Sequence, residues 1–136
     1  MKRIFLDTNF IIDYFVREDY NGDSEKLMKF GSDNNLNFFI SYLTVANFAY
    51  IMRKLPPAQL SDVIRRICTH FNVVRNTREQ IMLNLQYPFT DFEDGLQYQA
   101  AMEANCDCII SRNKKDFGNS KIPVLTAAEF MATTLR

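Results

Sequence analysis

Five short apolar runs recur along the chain, and stretches with helical periodicity separate them. The runs are Ile4–Leu6, Leu36–Ile40, Phe71–Val74, Cys106–Ile110 and Pro123–Leu125. Between them, apolar residues fall at three- and four-residue spacing from Phe10 to Phe15, Ser24 to Phe30, Ser41 to Lys54, Pro57 to His70 and Thr77 to Leu85. A further helix follows Thr90-Asp91-Phe92-Glu93-Asp94 and extends to Ala104, and Thr126 to Met131 closes the chain. Strands that alternate with helices form a parallel sheet, because a parallel pair needs a crossover long enough to hold a helix. The expected fold class is therefore α/β, with a central parallel sheet covered on both faces. Punctuation agrees with this spacing. Arg17 to Asp23 is read as a polar loop containing Gly22, Gly31 as the end of the second helix, and Asn34-Asn35 as a turn. Pro56-Pro57 and Pro88 interrupt helices, and Ser111 to Ser120 is read as a charged loop.

At 136 residues, the chain is expected to form a single domain over 1–136. Sixteen basic and sixteen acidic residues cancel, which excludes strong non-specific nucleic-acid binding through overall charge. The cysteines are Cys68, Cys106 and Cys108, an odd number without a framework spacing, as expected of reduced thiols. Cys106-Asp107-Cys108 lacks the second Cys/His pair of a zinc site, and the only histidine is His70. No stretch approaches the roughly 20 apolar residues of a membrane span. The chain is expected to be cytoplasmic and to have no membrane partner. No phosphate-binding glycine motif is present, and no serine or cysteine stands in a recognisable nucleophile arrangement.

Chemistry concentrates where strands end. In an open α/β sheet, ligands bind outside the carboxyl ends of the strands. The first strand stops at Asp7-Thr8-Asn9, and the fourth at Ser111-Arg112-Asn113, with Asp116 one helical turn later. A single Asp, Thr or Asn suffices to cap a helix. Three together at Asp7 exceed that need. In the third segment, Thr90-x-x-Glu93 matches a capping box, and Asp91 is itself a cap candidate. Asp94 lies beyond both roles and is followed by Gly95, which allows close approach of a backbone or a ligand. Gathered carboxylates repel one another, and a bound cation resolves that repulsion. An all-oxygen set selects hard ions such as Mg2+ or Mn2+, which suit hydrolysis of phosphodiesters.

Local charge is uneven. Residues 88–107 hold five acids (Asp91, Glu93, Asp94, Glu103, Asp107) and no base, whereas residues 112–121 carry a net charge of +3 and residues 51–80 of +4. Acids flanked by bases match a metal site with phosphate-facing arms. Scattered surface charge accounts for the 51–80 segment equally well.

These segments resemble the PIN domain family essentially end to end. The resemblance is carried by LDTNFIIDYF (6–15), ISYLTVANFAYIMRK (40–54), FTDFEDGLQYQAAMEANCDCIISRNKKDF (89–117) and IPVLTAAEF (122–130). The chain is most similar to the VapC-like toxin branch. That resemblance implies a three-layer α/β/α fold with a central parallel sheet. It implies Mg2+- or Mn2+-dependent cleavage of single-stranded RNA, a homodimer, and a small antitoxin protein as partner. It implies that Asp7, Asp94 and Asp116 bind metal, assisted in catalysis by Asn47 and Asn113. It also places Asn9, Ser111, Arg112 and Lys114 toward the substrate. The departure is Asn47, which stands where the family commonly has Glu. An amide oxygen can ligate a cation but brings no charge. Asn47 therefore raises an alternative, a weak or inactive PIN module that binds RNA or protein.

Overall fold

A computed structural model describes residues 1–17, 21–86, 89 and 91–134. Its strands are β1 (Arg3–Leu6), β2 (Asn37–Ser41), β3 (Asn72–Val74), β4 (Cys108–Ile110) and β5 (Val124–Leu125). All of their pairings are parallel, in the order β3-β2-β1-β4-β5. Successive side chains of a strand face opposite ways, and here both faces are apolar. Ile4, Leu6, Phe38, Ile40, Cys108 and Ile110 point into one core. Phe5, Phe39 and Ile109 point into the other. The sheet must therefore be covered twice.

The first cover is built from α1 (Thr8–Phe15), α2 (Asn21–Asp33), α3 (Tyr42–Ile51), α4 (Pro57–His70) and α7 (Ala127–Thr134). They bury Phe10, Ile11, Leu27, Phe48, Ile67 and Phe130 against the sheet. The second is built mainly from α6 (Phe92–Glu103), which brings Tyr98, Ala100 and Ala101. A single 3-10 turn, Lys114–Phe117, adds the buried Phe117, and α5 (Arg78–Asn84) packs beside α6. The result is the expected three-layer α/β/α arrangement. Small Ala100 and Ala101 let α6 lie close to the strands, so its first turn reaches their carboxyl ends.

Several local expectations are corrected. The segment read as a loop from Arg17 to Asp23 already belongs to α2 from Asn21 onward. Gly31 does not end that helix, which continues to Asp33. A side chain at Gly31 would instead overlap the Phe38 ring, so packing sets this glycine. The fourth strand starts at Cys108, two residues late, because Asn105 adopts a left-handed φ of 54° and Asp107 accepts the N–H groups of Lys2 and Arg3 at 2.9 Å each. The charged loop after β4 holds the 3-10 turn, anchored by Phe117. The breaks assigned to Pro88 and the capping box assigned to Thr90 lie outside the described residues. The described cap of α6 is Asp91, whose carboxylate accepts the Asp94 N–H at 3.0 Å.

Gly95 permits close approach, but the approaching group is the Asn84 side chain and not a backbone or a ligand. An added Cβ would overlap the Asn84 carboxamide, which is buried and donates to the Phe92 carbonyl at 2.8 Å. Gly95→Ala should therefore lower stability by about 1–3 kcal/mol through overpacking, although alanine is worth roughly 1 kcal/mol more than glycine in a helix. In an Asn84→Ala background the same change should be close to neutral. Urea denaturation of the four variants checks this, and a neutral or stabilising Gly95→Ala on its own would refute the packing account.

Candidate active site

The chain steps from β1 outward to β2 and β3, then returns to place β4 on the other side of β1. The order of strands thus reverses between β1 and β4, and the crevice outside that point is where open sheets bind ligands. Asp7 ends β1 there, and Ser111 ends β4. The two are joined: the Ser111 hydroxyl donates to Asp7 Oδ2 at 2.6 Å. The other oxygen of Asp7 accepts the Phe10 N–H at 3.1 Å, as the N-cap of α1. The capping role of Asp7 is therefore real, and its second oxygen is tied to the end of β4.

Burial dominates the electrostatics of Asp7. It is only 7% exposed, and desolvation pushes its carboxyl up to about 6 against the pull of Ser111 and the Phe10 N–H. Asp94, half-buried in the first turn of α6, is pushed up to about 7. Desolvation is again the largest cause, followed by the carboxylates of Asp91, Asp116, Asp7 and Glu93. Asp7, Asp94 and Asp116, which are far apart in sequence, therefore share one field. Among the described residues, no three His, Cys, Asp or Glu side chains converge as a ready-made cage for a metal ion. The donor chemistry still fits a hard cation. Mg2+ is commonly held by one or two carboxylates and keeps much of its water, and carboxylates this reluctant to ionise together gain from a cation between them.

The remaining candidate residues surround this centre. Asn47 on α3 is half-buried, and its amide Nδ2 donates a short hydrogen bond to Glu93 Oε1. Asn9 is half-buried in the first turn of α1. Asn113 precedes the 3-10 turn. Its N–H donates to the Ser111 hydroxyl at 3.0 Å, and its carbonyl accepts the Asp116 N–H at 3.0 Å. Arg112 Nε pairs with Asp13 at 2.9 Å, and Lys114 pairs with Glu129 at 3.0 Å. Both cations expected to face substrate thus already hold a carboxylate. In the basic 51–80 segment, Arg53 stacks on Tyr50 and Arg65 pairs with Asp62, which favours local surface charge over a phosphate-binding arm. His70 is exposed at the end of α4, and Cys106 and Cys108 are buried thiols pushed up to about 12 by desolvation.

Three features escaped the sequence reading. Asp13 is 5% exposed and bridges Arg112 and Arg17; its i, i+4 spacing to Arg17 was the available signal. Glu93 was absorbed into a capping box, and nothing in sequence announces its reach to α3. A buried polar seam joins α1, α3 and α6: Thr8 and Thr44 share a 2.9 Å hydrogen bond, and Gln97 Nε2 donates to both, at 3.0 and 3.3 Å. A cavity of about 300 Å³ is lined by Asp7, Asp13, Asp23, Ser24, Ser111 and Arg112, among others.

Comparison with known proteins agrees with this geometry. Residues 3–115 match the family model described as PIN domain. The chain is 24% identical over 135 residues to Ribonuclease VapC1 of Aquifex aeolicus (strain VF5), covering 95% of this chain and 93% of that protein. Among solved structures it resembles VapBC-1 from nontypeable Haemophilus influenzae, with a TM-score of 0.68, 20% identity and coverage of 93% and 98% of the two chains. It also resembles a toxin–antitoxin complex from Klebsiella pneumoniae, with a TM-score of 0.65, 21% identity and coverage of 91% and 97%.

The raised carboxyl of Asp7 has a measurable consequence. Its folded state holds a proton more tightly than the unfolded chain does, so its contribution to stability falls as pH rises from about 4 to above 6. The loss is on the order of 3 kcal/mol. Asp7→Asn keeps an acceptor for the Phe10 N–H and removes the charge. In metal-free buffer it should raise Tm by about 10 °C at pH 8 and leave it nearly unchanged at pH 4. Equal Tm differences at the two pH values would show that the buried charge of Asp7 is not what destabilises the site.

Proposed function

The chain belongs to the PIN domain family, and on that premise we propose that it is a metal-dependent endoribonuclease that cleaves single-stranded RNA as the toxin of a toxin–antitoxin pair. What supports this most is that Asp7, Asp94 and Asp116, from three separate segments, share one field at the strand-order reversal. Likeness to Ribonuclease VapC1 adds the substrate class. Likeness to toxin–antitoxin structures adds the small protein partner.

In this reading Asp7, Asp94 and Asp116 hold Mg2+ or Mn2+, with Asn47 and Asn113 in support. A cation there would supply an activated water and charge stabilisation for the leaving oxygen. The chain's own residues do the rest. Ser111 and the Phe10 N–H fix the rotamer of Asp7, so one acid is held in place before any ligand arrives. Asp91 anchors the N–H of Asp94 and so fixes the start of α6. Arg112, held by Asp13 and felt by Asp7, would bring positive charge to a phosphate, and Lys114, Asn9 and Ser111 would complete the polar lining. The protein is proposed to act as a homodimer. Exposed Ile81, Met82, Leu83 and Leu85 on and after α5, and exposed Phe92, are the apolar side chains proposed to meet a second copy. The stretch Leu43–Tyr50 is less suited, because Thr44 and Phe48 are buried and Tyr50 is engaged by Arg53.

An RNA cleavage assay with Mg2+ or Mn2+ tests the proposal. Wild type should cleave single-stranded RNA and stop on chelation. Asp94→Asn and Asp116→Asn should each lose about a hundredfold or more in rate, since even outer-shell partners of a metal are worth 10–100-fold. Undiminished cleavage by both variants would remove these residues from the active site. An inactive wild type that still binds RNA would return the binding-module alternative to first place.

A further inference from the structure

Asn47 leaves the site one formal charge short at the position where the family commonly has Glu. The structure shows where a charge returns. Glu93, in the first turn of α6, reaches across to α3, and its Oε1 accepts from the Asn47 amide nitrogen. A carboxylate can only accept hydrogen bonds, so this contact fixes the orientation of the amide. With the Asn47 nitrogen on Glu93, its carbonyl Oδ1 is left for another partner. A neutral oxygen donor backed by a carboxylate through an N–H is the same arrangement by which outer-shell carboxylates orient and strengthen the ligands of metal sites.

A second observation comes from the same seam. Gln97 lies one turn below Glu93 on α6, and its nitrogen donates to Thr44, one turn before Asn47 on α3. Two contacts, Glu93–Asn47 and Gln97–Thr44, therefore tie α3 to α6. Gln97 is 2% exposed, yet its Oε1 has no hydrogen-bond partner among the described residues. A buried acceptor without a partner is rare in folded proteins, and here it lies between the helices that carry Asn47 and Asp94.

We propose that Asn47 and Glu93 act as one unit, in which Asn47 presents its oxygen to the cation and Glu93 supplies the missing charge and holds the amide in place. Glu93 is thus a positioning residue and the electrostatic replacement for the acid that position 47 lacks. This rests on the metal-dependent reading above, and it also explains why Asn47 need not abolish the site.

Isothermal titration of the metal-free full chain with Mn2+, paired with thermal unfolding, separates charge from structure. Glu93→Gln keeps an oxygen for the Asn47 amide but removes the charge. It should leave Tm within about 2 °C and weaken Mn2+ binding by about tenfold or more. Asn47→Glu combined with Glu93→Gln moves the charge to the other side of the same hydrogen bond and should restore affinity to within about threefold of wild type. Asn47→Glu alone sets two carboxylates face to face and should lower Tm. Unchanged Mn2+ affinity in Glu93→Gln, with wild type binding normally, would overturn the role of Glu93 and leave the metal-dependent reading intact. Weakened binding that the double variant fails to restore would overturn the unit. If wild type binds no Mn2+ at millimolar concentration, both the metal-dependent reading and this inference fall.

Discussion

A carboxylate buried at the end of the central strand is the constraint on which the rest of the site depends. Asp7 loses most of its hydration, which on its own drives it toward the protonated form. It is tolerated because two donors are built in at the point where the chain reverses strand order. One is the N–H of α1, available only if the helix starts directly after β1. The other is the Ser111 hydroxyl, available only if β4 lies beside β1 in register. That register pairs Leu6 with Ile110, the residues immediately before Asp7 and Ser111. The parallel pairing that forms the core therefore also sets the first two hydrogen bonds of the site.

The second cover layer brings the other acids to the same place. α6 must start near the carboxyl ends of the strands, because its far end feeds β4 from the opposite edge. Asp91 caps it, and Asp94 in its first turn feels the charges of Asp116 and Asp7. The field these groups share is unfavourable within the chain alone. Asp13 and Arg112 show the contrast. Asp13 is as buried as Asp7, but it meets two guanidinium groups. The structure thus pairs one buried carboxylate internally and leaves the other with only neutral donors in direct contact.

The layered fold was legible because both of its periodicities are written in the side chains. Ile4, Leu6 and Phe5 alternate between two cores, and α4 runs from Pro57 to His70, as its apolar spacing and initial proline indicate. Asp7, Asp94, Ser111 and Asp116 were legible as acids and hydroxyls at the ends of elements. What sequence could not supply was anything set by the crossing of two distant helices. The Glu93–Asn47 bond, the Thr8–Thr44–Gln97 seam and the Asn84 carboxamide over Gly95 each join segments that no local rule relates. The position of Glu93 suits a capping box, and only the approach of α3 gives its carboxylate the further contact with Asn47. Gly31 was misread, since it looked like a helix stop and is instead a space for Phe38.

The burial that makes Asp7 destabilising in the metal-free chain also makes it useful. A cation that binds the folded state and not the unfolded one stabilises the fold by mass action. That gain is larger where the ligand carboxylates are poorly solvated, because the metal then replaces weaker interactions than bulk water would have given. On the proposed reading, a cation at Asp7 and Asp94, both raised toward neutrality, would make binding and folding reinforce each other. An amide at position 47 reduces the mutual repulsion of the acids before metal arrives. With Glu93 behind it, the charge sits one hydrogen bond further out, where it still raises Asp94 but by less than Asp91, Asp116 and Asp7 do. On the proposal that Asn47 and Glu93 act as one unit, an amide at position 47 would trade some attraction for the cation against less strain in the metal-free fold, and Glu93 would recover part of that attraction.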